Sequence, residues 1–107
     1  MARILVAEAS SEAQELLERQ VRRLGHEVAG PECAEVDAIL SEPGSDHRPL
    51  RGDPRREHSG ATLIVTSIYP AGETVGWLRP AAFLLKPFSS VELESAIERA
   101  LGAARPA

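Results

Sequence analysis

The stretch Phe83-Leu84-Leu85-Lys86-Pro87-Phe88-Ser89-Ser90-Val91-Glu92-Leu93 restricts the fold more than any other. Its apolar start reads as a short strand that ends on a lysine. Pro87 blocks continuation, because proline has no amide hydrogen for the ladder. Ser89, with Glu92 three residues on, has the spacing of a helix-starting capping box. A strand that passes within a few residues into a capped helix belongs to an α/β layout. It also leaves Lys86 as a cation at the carboxyl end of a strand, where open α/β sheets keep their ligand sites.

The first third of the chain repeats the pattern. Residues 3–7, Arg-Ile-Leu-Val-Ala, form a short apolar run suited to a strand buried on both faces. Ser10 or Ser11 caps a helix, with Gln14 at capping-box spacing from Ser11. Ala13, Leu16, Leu17, Val21 and Leu24 recur at three- and four-residue steps and give that helix one apolar face. Gly25 ends it as the left-handed residue past the C-cap. Residues 26–30 read as a second, shorter strand at a sheet edge, which completes a right-handed βαβ unit.

Residues 61–67 form another buried strand, followed by a loop with Pro70 and Gly72. A weak helix around residues 73–78 is kept short by Gly76 and Pro80. The closing helix buries Leu93, Ala96, Ile97, Ala100 and Leu101 and is expected to end at Gly102. This makes residues 1–102 one domain and 103–107 a frayed tail.

Residues 43–60 carry Pro43, Gly44, Pro49, Gly52, Pro54 and Gly60 among mixed charges and keep no apolar period, as in a surface loop or broken helix. Between them and Gly30 the only apolar segment is residues 36–40. Cys33, Val36, Ile39 and Leu40 fit a helical face, and the helix is the preferred reading. Read as a strand, the segment supplies the central member of the sheet at the cost of placing Asp37 inside.

Composition narrows the function classes. The chain has 107 residues, 43% hydrophobic and 26% charged, with a net charge of −4. That is one soluble domain whose sign disfavours general binding to nucleic acid or anionic membranes. The single cysteine, Cys33, excludes an internal disulfide and suits the cytoplasm. His26, His47 and His58 form no metal-ligand spacing with Cys33. No Gly-rich loop follows the first strand, which disfavours a nucleotide-binding enzyme.

Four segments together resemble the receiver domain of two-component response regulators. Ile4-Leu5-Val6-Ala7-Glu8-Ala9 is similar to its first strand, and residues 24–30 to the turn into its second. Leu63-Ile64-Val65-Thr66-Ser67 is similar to its fourth strand, and Phe83-Leu84-Leu85-Lys86-Pro87-Phe88 to its fifth strand and lysine-proline turn. The resemblance covers residues 2–42 and 61–102. It implies a flavodoxin-like, doubly wound parallel sheet of order 2-1-3-4-5 and a cis bond before Pro87. The third strand and third helix are expected to be reduced or missing.

A receiver accepts a phosphoryl group on an aspartate at the end of its third strand, beside Mg²⁺ held by that aspartate and an acidic pair. Here the acidic pair has become Glu8-Ala9, and no Asp stands in the apolar context of the acceptor. If residues 36–40 are the third strand, the Pro43-Gly44 register puts Ile39 at the acceptor position. If they are a helix, the strand has been deleted with its acceptor. Glu42, Asp37, Asp46 and Asp53 each lack the required context.

The resemblance makes Glu8, Ser67 and Lys86 the remnant of the phosphorylation site. Lys86 either pairs with Glu8 or is solvated, and Ser67 is either a relic or ordinary turn chemistry. Phe83 stands where receivers carry a switching aromatic, with core packing as the alternative role. Trp77, Leu78 and Phe83 mark the expected partner face, Trp77 being either an interface anchor or a filler of the space beside a short helix.

The expectation is a pseudo-receiver: a non-enzymatic module working by protein–protein interaction in a phosphorelay system, independent of phosphorylation. It requires no cofactor, and Mg²⁺ enters only if a displaced carboxylate is phosphorylated. Its partner is a signalling protein such as a kinase, regulator or output protein, and homodimerisation stays open. A DNA-binding module is the least favoured class, given the acidic balance and the absence of a helix-turn-helix pattern.

Overall fold

The computed structural model describes residues 2–8, 10–30, 32–33, 35–42, 55, 58, 60–67 and 79–104. Among these residues five strands and two helices follow in the order β1 (Arg3–Ala7), α1 (Ser11–Arg23), β2 (Glu27–Ala29), β3 (Ala38–Ser41), β4 (Thr62–Ser67), β5 (Ala82–Leu85) and α2 (Ser90–Ala104). The strands form one parallel sheet of order β2-β1-β3-β4-β5. This is the doubly wound order expected from the sequence.

The third strand is present and central, which corrects the helical reading of residues 36–40 and the idea of a deletion. The supposed cost of burying Asp37 does not arise. Asp37 precedes β3 at the amino end of the sheet and is exposed, and its Oδ2 accepts the Arg3 amide at 2.8 Å. The strand proper is Ala38, Ile39 and Leu40, all without exposed surface, then Ser41. The expected reduction or loss of the third helix and the expected helix at residues 73–78 both concern segments outside the described residues.

Alternation along the strands makes two apolar faces. Ile4, Val6, Ala38, Leu40, Ile64, Ala82 and Leu84 pack with Leu17 and Val21 of α1 and with Leu93, Ala96, Ile97 and Ala100 of α2. The opposite face carries Leu5, Ala29, Ile39, Leu63, Val65 and Phe83. Each fully buried Ile or Leu contributes about 1.5–3 kcal/mol. Leu16, assigned to the apolar face of α1, is 55% exposed.

The helix ends follow from local chemistry. Ser10, not Ser11, is the N-cap of α1, its hydroxyl accepting the Ala13 amide at 3.1 Å. Gln14 is thereby released from a capping box. Gly25 sits at φ +89°, where a side chain is strained. Its amide reaches the Arg22 carbonyl at 3.0 Å, and the His26 amide reaches that of Val21 at 3.2 Å, the paired bonds of a Schellman end. At α2, Ser89 and Glu92 cap each other reciprocally, at 3.1 and 3.0 Å. The helix runs through Gly102 to Ala104, past its expected end. One glycine costs about 1 kcal/mol in a helix, too little to stop one anchored by Ile97 and Ala100. Among the described residues no helix is long and apolar enough to cross a membrane.

Candidate functional site

The sheet grows from β1 in both directions, with β2 on one side and β3 on the other. The crevice of such a sheet opens beyond the carboxyl ends of its strands at this reversal. Strand alternation then decides which residues line it. Ile4 and Val6 face the helices, so Glu8, one residue past β1, projects the same way. The same step leads from Ala38 and Leu40 to Glu42, from Ile64 to Thr66, and from Ala82 and Leu84 to Lys86.

The registers bring these ends level. Ala7 pairs with Ser41, and Ser67 with Leu85. Beyond the strands the ladder continues one step, the Glu42 amide donating to the Ala7 carbonyl at 3.0 Å and the Lys86 amide to the Ser67 carbonyl at 2.7 Å. The bond between Lys86 and Pro87 is cis, as the resemblance implied.

Lys86 bridges two carboxylates. Its Nζ lies 2.7 Å from Glu42 Oε2 and 2.9 Å from Glu8 Oε1. The side chains are scarcely solvated, with 0% of Glu8, 9% of Glu42 and 19% of Lys86 exposed. The hydroxyl of Thr66, itself fully buried, donates to the Glu8 carboxylate at 3.3 Å. Burial, with a smaller contribution from Glu42, holds the Glu8 carboxyl above the usual range despite Lys86. Burial acts to lower Lys86, but its bonds to Glu42 and Glu8 outweigh this and leave it raised.

Gln14 fixes the end of β1 from α1. Its Nε2 donates to the Val6 carbonyl at 2.6 Å and to Glu18 Oε2 at 3.0 Å, while its Oε1 accepts the Glu8 amide at 2.9 Å. Beside this clamp lies a largely apolar cavity of about 410 Å³, lined by Glu8, Ala13, Leu16, Leu17, Gln20, Lys86, Pro87 and Phe88.

Of the residues singled out in the sequence, Glu8 and Lys86 meet directly. Ser67 is buried and gives its carbonyl to the Lys86 amide, while the hydroxyl reaching Glu8 belongs to its neighbour Thr66. Strand alternation explains the difference, since position 67 follows Leu63 and Val65 to the other face. Ile39, placed at the acceptor position by the Pro43-Gly44 register, is instead buried opposite Leu5 in mid-strand. The carboxylate past the strand is Glu42. Phe83 is half-buried among Ile39, Leu63 and Val65. Trp77, Leu78, Asp46 and Asp53 lie outside the described residues.

No protein-family model and no curated protein matches the chain. Solved structures do. The signal receiver domain of a modulated diguanylate cyclase from Desulfovibrio desulfuricans is similar with a TM-score of 0.79 at 21% identity, over 97% of this chain and 96% of that one. A CheY-like receiver domain protein from Methanospirillum hungatei gives 0.79 at 16% identity, over 97% and 96%. The receiver domain of a sensor histidine kinase from Pseudomonas aeruginosa, which has a magnesium ion in its active-site cleft, gives 0.72 at 21% identity, over 94% and 98%. Together with the strand order and the crevice at the β1/β3 reversal, these likenesses establish that the chain has the fold of response-regulator receiver domains.

Proposed function

We propose that the chain is a pseudo-receiver, a signalling module of two-component type that acts through protein–protein contacts without accepting a phosphoryl group. One observation carries the reading: Lys86 holds both site carboxylates at 2.7 and 2.9 Å. In the receiver scheme the lysine contacts an incoming phosphoryl group and the carboxylates hold a metal. Here those partners already engage one another. The residue after Glu8 is Ala9, whose side chain has no donor atom, so the acidic pair is halved. Mg²⁺ requires several hard oxygen ligands in near-octahedral order. Two carboxylates already bonded to an ammonium fit that demand poorly.

The rival reading gives Glu42 the acceptor role. Its place one residue past β3 favours this, but its low exposure and short bond to Lys86 oppose attack on a phosphodonor. Incubation with a small phosphodonor and Mg²⁺, followed by intact-mass measurement, separates the two readings. The pseudo-receiver reading expects unchanged mass. A stoichiometric phosphoryl adduct overturns it, and loss of that adduct in Glu42→Gln assigns it to Glu42. The expected partner face around Trp77 and Leu78 belongs to the same proposal, with Phe83 contributing mainly from the core side.

A further inference from the structure

Leu16 belongs to the apolar face of α1 by its spacing, yet 55% of it is exposed. What it faces is the cavity of about 410 Å³ beside the carboxyl end of β1. α1 packs on β1 and β2, while α2 packs on β3, β4 and β5. The cavity opens between α1 and the turn that leads into α2. Ala13, Leu16, Leu17 and Gln20 stand at i, i+3, i+4 and i+7, so they line it as a single stripe of the helix. Pro87 and Phe88 line it from the turn, and Phe88 is half-buried against the core. Small-molecule sites are cavities of about 300–1,000 Å³, mostly apolar, with a few polar groups that choose the ligand. This cavity has that size and that composition.

The polar groups on its wall are Glu8, Lys86 and Gln20. They decide the charge of an occupant. A cationic ligand would meet the Lys86 ammonium, and an anionic one the Glu8 carboxylate, which is itself held by Lys86 at 2.9 Å. Like charges at such range repel strongly where water is scarce. A neutral ligand meets neither penalty and finds hydrogen-bonding groups. An ammonium has three donors, and that of Lys86 contacts two carboxylates, so one donor remains for a neutral acceptor. Gln20 is half-buried, and among the described residues its side-chain amide has no hydrogen-bond partner. It brings both a donor and an acceptor to the wall. We propose that this cavity binds a small, neutral, mainly apolar molecule bearing a carbonyl or hydroxyl group, its apolar body covering Leu16, Leu17, Pro87 and Phe88.

The inference goes beyond the pseudo-receiver reading and does not rest on it. The test is an amide NMR titration with three probes of one skeleton: acetylnaphthalene, which is neutral, naphthoate and naphthylmethylammonium. The neutral ketone is expected to give saturable shifts centred on residues 13, 16, 17, 20 and 88, and each charged probe to bind about tenfold or more weakly. Leu16→Glu and Leu16→Ala, both at an exposed helical position, are expected to weaken the ketone, the first by about tenfold or more. Val91→Glu alters a side chain that is 74% exposed but outside the cavity wall, and is expected to leave binding unchanged. Absence of saturable shifts with the ketone overturns the inference, as does equal or tighter binding of either charged probe. An equal loss in Val91→Glu also overturns it, since that describes adsorption to exposed apolar surface. Self-association without ketone binding, abolished by Leu16→Glu, would give the cavity to a second copy and overturn the inference as well. A phosphoryl adduct in the earlier experiment defeats the pseudo-receiver reading and leaves this one standing.

Discussion

Replacing Lys86 with Met tests the energetic reading most directly, without added metal. The substitution keeps the aliphatic stem and removes the ammonium that lies within 2.9 Å of both carboxylates. Breaking a buried ion pair from one side costs about 3–5 kcal/mol, because the remaining charge stays uncompensated. Domains of this size have about 5–15 kcal/mol in total. The loss must depend on pH. The raised Glu8 group contributes stability that is fully present below the ordinary glutamate range and is lost as pH rises through its elevated value. The raised Lys86 group contributes stability that persists through neutrality and is lost only above the ordinary lysine range.

Without Lys86, Glu8 loses the contact that favours its ionised form, and stability falls more steeply above the glutamate range. At about pH 8, above the glutamate range and below that of lysine, the expected cost is about 3–5 kcal/mol. At about pH 4, where protonated carboxyls dominate, only hydrogen bonds are lost, at about 1 kcal/mol. Urea titrations followed by circular dichroism at the two pH values measure the difference. A cost below about 1 kcal/mol at the higher pH, or one independent of pH, would refute the buried-triad argument and describe a solvated lysine instead.

Two further substitutions probe the same network. Glu8→Gln removes a buried negative charge but keeps an acceptor for Lys86, so stability at neutral pH is expected to stay level or rise by about 1 kcal/mol. Its decline with pH above the glutamate range should flatten; an undiminished decline would mean that Glu8 is not its source. Gln14→Leu strips bonds from the Val6 carbonyl and the Glu8 amide and is expected to cost about 1–3 kcal/mol. Hydrogen exchange at the Glu8 amide should accelerate with it, whereas unchanged exchange would mean that the clamp does not hold the end of β1.

The scaffold was legible because its signals are local. The run at residues 3–7, Gly25 after a 3.6-period face, and the Ser89–Glu92 box each specify an element within a few residues. The middle strand was harder for a physical reason. A central strand buried on both faces shows no polar alternation, and four residues are too few to separate period 2 from period 3.6. Asp37 added a false cost, since a residue just before a strand is not inside it. The Pro43-Gly44 register draws the acceptor position back into mid-strand at Ile39, although the apolar run continues to Leu40 and the strand to Ser41.

Once that strand is placed, the site follows from parity alone. Residues 4, 6 and 8, then 38, 40 and 42, then 64 and 66, then 82, 84 and 86 all project to the helix-covered face. Glu8, Glu42, Thr66 and Lys86 thus converge as the ends of four even-numbered series, and Ser67 is excluded as the odd member of its own. The sequence signal for Glu42 was therefore present in Asp37-Ala38-Ile39-Leu40-Ser41-Glu42, two residues beyond Leu40 on the same side. Gln14 had no comparable signal. Its spacing from Ser11 mimicked a capping box, and only the choice of Ser10 as cap frees its amide for β1. Convergence by parity also separates what the scaffold fixes from what the side chains decide. The fold dictates that four strand ends meet at this crevice, while the side chains there decide whether the resulting charge is left open for a ligand or closed within the chain. On the proposed reading, with Lys86 bonded to both carboxylates, the arrangement is closed.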